Sequence, residues 1–139
     1  MERNWCHLLE PDDVVATTVV EHHANLLPWA RVARRSWVEC GPDGTFTTDA
    51  VTAVLDAGPR PKLLAITGAS NVTGWLPPIE EICAEAHARG VPVLLDAAQL
   101  AQHRPLPPGP DFIAFSGHKM YAPYGAGVLI GTRRVFATG

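Results

Sequence analysis

Cysteine is scarce in this sequence, basic residues form no cluster, and no apolar run is long. The three cysteines, Cys6, Cys40 and Cys83, are odd in number and widely spaced, which favours neither a disulfide framework nor a CxxC metal site. The formal net charge of -3 argues against nucleic acid as the main partner. No stretch is apolar for long enough to span a bilayer, and no basic-then-apolar leader opens the chain. We therefore expect a soluble, cytoplasmic protein with reduced thiols and neither a membrane nor a nucleic-acid partner.

The composition is typical of one globular domain. Hydrophobic residues make up 47% of the chain and charged residues 18%, which is the balance of a folded protein and not of a disordered one. With 139 residues, the chain has room for a sizeable core in a single domain.

Apolar segments alternate with segments of helical periodicity. The apolar segments predict strands at residues 14–20, 36–39, 63–66, 93–95, 112–115 and 128–130. The uninterrupted β-branched run at 14–20 and the apolar runs at 93–95, 112–115 and 128–130 are typical of buried strands. The periodic segments predict a helix over residues 24–34, a second one capped by Thr47 or Thr48, and a third one that Pro77 or Pro78 opens and Gly90 ends.

Strands that alternate with amphipathic helices predict an α/β fold, a mostly parallel sheet flanked by helices. In such sheets, ligands bind at the carboxyl ends of the strands. Polar residues follow the predicted strands at those ends: Glu21-His22-His23, Ser70-Asn71, Asp96 with Gln99, and Ser116 with His118 and Lys119. The sequence therefore predicts a ligand site at this edge of the sheet.

Asp96 and Lys119 each follow an apolar strand and are the most informative pair in the chain. A lysine between a glycine turn and the segment 120–123 lies on no solvated helix face and in no basic patch. Pyridoxal phosphate requires such an amine, partly withdrawn from water, to form a Schiff base. It also requires a buried carboxylate that keeps its ring nitrogen protonated, and the apolar neighbours of Asp96 provide that setting. The pair therefore predicts a pyridoxal phosphate site.

Five further polar side chains complete the predicted site. Gln99 is placed to bond the ring hydroxyl, and the imidazole of His22 to stack on the ring face. Ser116 and His118 can reach the phosphate, with help from the backbone N–H groups of the turn between them. Asn71 can hold the ring oxygen or the substrate.

Several of these residues have a structural alternative. Asp96 can cap a helix that follows it, which is compatible with cofactor pairing. Asn71 can simply shape a turn, and Ser116 can have only a structural role in the turn that it begins. His22 and His23 can cap a strand end. Because adjacent residues of an extended chain point to different sides, we expect no metal site at the two histidines.

Together these motifs resemble the class V aminotransferases of the pyridoxal phosphate fold type I, and most of all their cysteine desulfurase and selenocysteine lyase branch. The resemblance rests on four motifs in the order and at the spacing of that family: Glu21-His22-His23-Ala24-Asn25, Ser70-Asn71-Val72-Thr73-Gly74, Asp96-Ala97-Ala98-Gln99 and Ser116-Gly117-His118-Lys119-Met120-Tyr121-Ala122-Pro123. It covers nearly the whole chain from about Pro11 onward. The four motifs in combination are specific, whereas each alone is weak.

The resemblance implies a role for each matching residue. Lys119 would form the Schiff base and, once released by substrate, move the α-proton. His22 would stack on the ring and assist proton transfers. The remaining implied contacts are those of Asp96 with the ring nitrogen, Gln99 with the ring oxygen, Ser116 and His118 with the phosphate, and Asn71 near the ring oxygen and the substrate carboxylate.

Residues 1–139 correspond by this resemblance to the middle of the family's large domain. A Gly-Thr-Thr-type phosphate turn is not found before Pro11, and residues 1–10, with Trp5 and Cys6, do not match the family pattern. The small domain, with its substrate-binding arginine and its sulfur-accepting cysteine, is not found after the last motif. Neither Cys40 nor Cys83 occupies the position of that nucleophile.

Three hypotheses follow. The first is a pyridoxal phosphate-dependent lyase that removes sulfur or selenium from a cysteine-like amino acid, in a homodimer and with a possible sulfur acceptor protein. The second is another class V enzyme, an aminotransferase or an amino-acid epimerase. The third is an inactive, truncated remnant.

Overall fold

The computed structural model describes residues 9–133, in which strands and helices alternate as the sequence predicts. This part of the chain contains the strands β1 (Val14–Thr18), β2 (Arg34–Val38), β3 (Leu63–Thr67), β4 (Val93–Asp96), β5 (Phe112–Ser116) and β6 (Gly127–Gly131). Its helices are α1 (Trp29–Val32), α2 (Thr48–Asp56) and α3 (Ile79–Ala88). Two 3-10 turns span His23–Asn25 and Gly117–Met120.

The six strands form one sheet in the order β2-β1-β3-β4-β5-β6. Every neighbouring pair is parallel except β5 and β6, which are antiparallel. The predicted fold class, a mostly parallel sheet flanked by helices, is therefore confirmed. Because the strands run in one direction from β1 to β5, their carboxyl ends share one edge of the sheet.

Apolar side chains cover both faces of the sheet. On one face, Leu64 and Ile66 of β3 pack with Ile82 of α3 and Val51 of α2, all of them fully buried. On the other face, Leu63 and Ala65 pack with Val15 and with the partly buried Trp29 of α1. This alternation along β3 follows from the two-residue period of a strand, and burial on both faces explains its uninterrupted apolar sequence.

Helix α2 begins at a side-chain cap. The hydroxyl Oγ1 of Thr47 accepts a hydrogen bond from the backbone N–H of Ala50 at 3.1 Å. Of the two threonines that the sequence offered as a cap, Thr47 holds this position. The bond satisfies one of the N–H groups that the first turn of a helix leaves without a partner.

Replacing Thr47 with alanine is expected to lower the free energy of unfolding by about 1 kcal/mol, because the N–H of Ala50 loses its acceptor. Denaturant unfolding at constant pH measures this change. Thr52→Ala in the same helix is the matched control, since the Thr52 hydroxyl donates to the carbonyl oxygen of Asp49, a bond that does little for helix stability. Equal losses in the two variants would show that Thr47 is not a cap.

The prediction of a helix over residues 24–34 is wrong. The structure has a 3-10 turn over His23–Asn25 and a single helical turn, α1, in its place. Ala33 is already extended, and Arg34 begins β2, paired with Val14 of β1. The last residue of the predicted helix therefore belongs to a strand, because it pairs with β1. The hydrogen bonds between these two strands outweigh the local helical periodicity.

Strand β6 forms where residues 128–130 predict it, but the expectation that it is buried is wrong. Val128, Leu129 and Ile130 each expose 42–44% of their surface. The strand lies at the edge of the sheet, and its sequence does not distinguish an edge strand from a central one. None of the helices within residues 9–133 has the length and apolar character that a membrane span requires.

Candidate active site

The register of the parallel strands brings the predicted polar residues to one edge of the sheet. Thr67 at the end of β3 lies beside Asp96 at the end of β4, and Asp96 lies beside Ala114 of β5. The segments that follow β1, β3, β4 and β5 therefore leave the sheet next to one another. These segments, with the last residues of β4 and β5, carry all seven side chains that the sequence predicts for the site.

Five of the seven line one cavity of about 440 Å³, which we call the central cavity. Its predicted members are His22, Asp96, Ser116, His118 and Lys119, and the amide side chain of Asn25 joins them. The volume lies within the range of about 300–1,000 Å³ that is usual for small-molecule sites. The cavity thus combines an amine, a carboxylate and two imidazoles.

Asp96 lines the central cavity, and one of its carboxylate oxygens accepts no hydrogen bond from residues 9–133. The other oxygen, Oδ1, accepts a hydrogen bond from the backbone N–H of Ala98 at 2.9 Å, which fixes the side chain above the turn that follows β4. Residues 9–133 provide no hydrogen bond to Oδ2. The segment after Asp96 is a series of turns and not the helix that the capping alternative requires. A half-buried carboxylate in this position suits a cationic ligand.

Lys119 lies in the 3-10 turn that follows β5 and is half-buried. The turn packs tightly on the start of β6, where the N–H of Gly117 donates to the carbonyl oxygen of Ala126 at 2.9 Å. A Cβ at residue 117 would lie 3.1 Å from the Cβ of Ala126, so this approach favours glycine. Lys119 forms no ion pair within the described part of the chain. Its amine is therefore held at the cavity without a carboxylate partner.

His22 precedes the 3-10 turn at the end of β1 and caps it. Its ring nitrogen Nδ1 accepts a hydrogen bond from the backbone N–H of Ala24 at 3.1 Å. This bond leaves the other ring nitrogen and the ring face for a ligand. The rings of His22 and His23 are tilted by 43° with centroids 6.4 Å apart. Residues 9–133 contain no group of three or more His, Cys, Asp or Glu side chains that could hold a metal ion.

The two residues predicted to contact phosphate lie at the start of the turn that carries Lys119. Ser116 ends β5, and its hydroxyl does not cap the following turn. The ring of His118 stacks on that of Tyr124, with centroids 5.2 Å apart and an interplanar angle of 12°. Both residues line the central cavity together with Lys119, and their contact with a phosphate stays a prediction.

Asn71 and Gln99 do not reach the central cavity. They line an adjoining cavity of about 310 Å³, together with Ser70, His103 and Arg104. Asn71 also lines a third cavity of about 460 Å³ that includes His22. The structure thus groups the two amides with each other and Asn71 with His22, and the contacts of both amides with a cofactor stay predictions.

Glu21 is the residue of this edge whose importance sequence reasoning missed. It directly follows the buried strand β1 and is itself buried, with 7% of its surface exposed. Oε1 accepts hydrogen bonds from the hydroxyl of Thr18 at 2.7 Å and from the backbone N–H of Thr67 at 2.8 Å. Oε2 accepts one from the side-chain amide of Asn25 at 2.7 Å. A carboxylate that must be buried needs such partners, and the sequence shows neither the burial nor the partners.

Burial raises the pKa of Glu21 from its usual 4.5 to about 7. The three hydrogen bonds favour the charged form and oppose this increase, while the nearby negative charge of Asp96 adds to it. Loss of hydration outweighs the hydrogen bonds because the carboxyl is almost completely removed from water. Glu21 is therefore poised to exchange a proton near neutral pH.

The two thiols within residues 9–133, those of Cys40 and Cys83, line none of the three cavities. Cys83 lies on the buried stripe of α3, as its spacing with Ile79, Ile82 and Ala86 indicates, and burial raises its pKa to about 11. At neutral pH it is a protonated, unreactive thiol. Cys40 is half-buried after β2 and lines none of these cavities. Cys6, with the rest of residues 1–8, lies outside the described residues.

Solved structures share this fold and arrangement of strands. The cysteine desulfurase CsdA from Escherichia coli aligns with this chain with a TM-score of 0.84 at 36% sequence identity. The alignment covers 94% of this chain and 34% of the CsdA chain. A cysteine desulfurase from Thermococcus onnurineus NA1 aligns with a TM-score of 0.85 at 31% identity, over 96% of this chain and 35% of its own. The predicted fold, the large domain of the pyridoxal phosphate-dependent fold type I enzymes, is confirmed by this similarity.

The family model of the class V aminotransferases matches residues 1–138. The chain therefore belongs to the class V aminotransferase family. Among curated relatives, the cysteine desulfurase of Serratia proteamaculans is 42% identical over 134 residues, which is 90% of this chain and 32% of the relative. The chain thus spans about a third of the length of the curated relatives that it matches.

Proposed function

We propose that this chain is the cofactor-binding part of a pyridoxal phosphate-dependent enzyme of the cysteine desulfurase type, which acts on a cysteine-like amino acid. The observation that carries the proposal is the convergence of Lys119, Asp96 and His22 on one cavity. The substrate class is supported by the cysteine desulfurases that are similar to the chain in sequence and structure.

The side chains of the central cavity fit pyridoxal phosphate in their chemistry. An aldehyde needs an amine, and Lys119 offers one that no carboxylate of residues 9–133 neutralises. A protonated pyridine nitrogen needs an anionic acceptor, and Oδ2 of Asp96 offers one. His22 would lie on the ring face, and Ser116 and His118 would hold the phosphate. Gln99 and Asn71 would complete the contacts to the ring oxygen and the substrate from the adjoining cavity.

When bound, pyridoxal phosphate supplies an electron sink for the bond that breaks on the substrate's α-carbon. Asp96 would hold the ring nitrogen in its protonated state by charge pairing. Lys119 would first hold the cofactor covalently, and its amine, once displaced by substrate, would take the α-proton. His22 would restrict the ring to one orientation and pass protons to and from the substrate.

The proposal extends to the surroundings of the site. Residues 1–139 would form part of a large domain, and the full-length enzyme would be a cytoplasmic homodimer. A protein that accepts sulfur would be its partner. These statements are supported by the resemblance of the four motifs to the cysteine desulfurase branch and by the similarity to its members.

Incubation with pyridoxal phosphate, reduction with borohydride and peptide mass mapping test the proposal. Borohydride fixes a lysine–cofactor bond as a stable secondary amine. Because Lys62 and Lys119 are the only two lysines of the chain, the map has two possible side-chain sites. We expect the pyridoxyl group on Lys119.

Lys62 is the internal control for unselective labelling. It directly precedes β3, at the opposite edge of the sheet, and its side chain is 60% exposed. An exposed amine of this kind reports the reaction that any lysine would undergo with the aldehyde. Labelling spread evenly over Lys62 and Lys119 would refute the proposed site.

A further inference from the structure

The carboxyl of Glu21 connects three segments at the edge of the sheet where the parallel strands have their carboxyl ends. Glu21 bonds Thr18 at the end of its own strand, the backbone N–H of Thr67 at the end of β3, and the side chain of Asn25 in the 3-10 turn. The bond to Thr67 joins residues 46 positions apart in the chain. Glu21 thereby attaches the turn after β1 to the neighbouring strand.

The attached turn carries His22, the next residue of the chain. His22 has few contacts of its own to hold it in place: it is exposed, and its hydrogen bonds within residues 9–133 are local ones, from the N–H of Ala24 to its ring and from the N–H of Asn25 to its carbonyl oxygen. Asn25, three residues later, is buried and fastened to Oε2 of Glu21. Both ends of the His22 segment are therefore fixed through the same carboxyl.

On this basis, and resting on the proposed function, we propose that Glu21 is a positioning residue that holds His22 against the cofactor. Glu21 does not itself line the central cavity. It acts through the turn, because both of its oxygens are occupied by donors that fix the turn to β3. Without the carboxyl, the N–H of Thr67 and the amide of Asn25 would each lose a buried partner, and the turn would be released from the sheet.

A double-mutant cycle on cofactor affinity tests this role. We expect Glu21→Ala and His22→Ala each to weaken binding of pyridoxal phosphate by about tenfold. If Glu21 acts through His22, the double variant is no weaker than His22→Ala, because the residue to be positioned is gone. A purely structural role would instead multiply the two losses to about a hundredfold, and that result would overturn the inference.

Two further variants separate positioning from general damage. Glu21→Gln keeps an oxygen acceptor for Thr18 and Thr67, and the Asn25 amide can turn over so that its oxygen accepts from the new NH2 group. We therefore expect this variant to restore the affinity to within about threefold of the wild type. Glu39→Gln makes the same chemical change at an exposed carboxyl after β2 and should leave the affinity unchanged. If Glu21→Gln binds no better than Glu21→Ala although it is folded, the hydrogen bonds do not position His22 and the inference fails.

Hydrogen exchange of the cofactor-free chain provides a readout that does not depend on the proposed function. The N–H of Ala24, bonded to the ring of His22, should exchange at least about tenfold faster in Glu21→Ala, and at the wild-type rate in Glu39→Gln. An unchanged rate would overturn the inference even if the wild type binds pyridoxal phosphate. A wild type that fails to bind the cofactor would refute the proposed function, while faster exchange at Ala24 would still support the positioning of His22.

Discussion

Replacing Lys119 with alanine is expected to abolish the borohydride-stable attachment of pyridoxal phosphate to the site and to weaken equilibrium binding by at least about a hundredfold. The reason is that no other lysine lies at the central cavity: Lys62, the second lysine of the chain, is at the opposite edge of the sheet. Binding is measured by titrating the cofactor against the purified chain and following its visible absorbance. Residual attachment is located by mass mapping.

Two control variants decide whether Lys119 contributes a nucleophile or only a charge. Lys119→Arg keeps the positive charge, but a guanidinium stays protonated and cannot bond to the aldehyde, so we expect no attachment. Lys62→Ala removes an exposed amine and should leave both attachment and affinity unchanged. Wild-type affinity in Lys119→Arg would show that the lysine is only an electrostatic contact.

Replacing Glu21 with glutamine is expected to flatten the pH dependence of stability between pH 4.5 and about 7. The pKa of Glu21 is raised in the folded chain, so the folded state binds more protons than the unfolded state in this interval. The contribution of Glu21 to stability is therefore complete below pH 4.5 and is lost as the pH rises through 7. A pKa change of this size corresponds to about 3 kcal/mol. Because glutamine does not titrate, the variant does not lose this stability as the pH rises.

The measurement is the free energy of unfolding in denaturant at a series of pH values for the wild type and the variant. The difference between the two curves isolates Glu21, because all other titrating groups are shared. Glu39→Gln, at an exposed carboxyl, should follow the wild-type curve. Parallel curves for the wild type and Glu21→Gln would show that the carboxyl titrates alike in the folded and unfolded chains.

Local patterns were sufficient for the regular elements of the sheet's interior. The uninterrupted apolar runs of β3 and β4 and the apolar stripe of α3 allow one assignment each, since both follow from the periods of a strand and a helix. The edge at which Asp96 and Lys119 meet was predictable as well, because parallel strands bring their carboxyl ends together. Strand direction was sufficient to place the two residues at one edge, whereas the cavity that they share came from the structure.

The same patterns failed where long-range contacts compete with local preference. Residues 24–34 have helical periodicity, yet the end of this segment pairs with β1. Residues 128–130 have the composition of a buried strand, yet β6 lies at the edge of the sheet. In both cases the outcome depends on which strand lies alongside, and that neighbour is distant in the chain.

The kinds of residue and their order along the chain already specified the parallel sheet, its ligand edge and the amine–carboxylate pair, because the periods of strands and helices are local properties and their alternation favours a parallel sheet. Folding in three dimensions settled how the polar side chains divide among cavities and how deeply Glu21 is buried. Those outcomes depend on hydration lost and hydrogen bonds gained between segments far apart in the chain, as in the bond from Thr67 to Glu21.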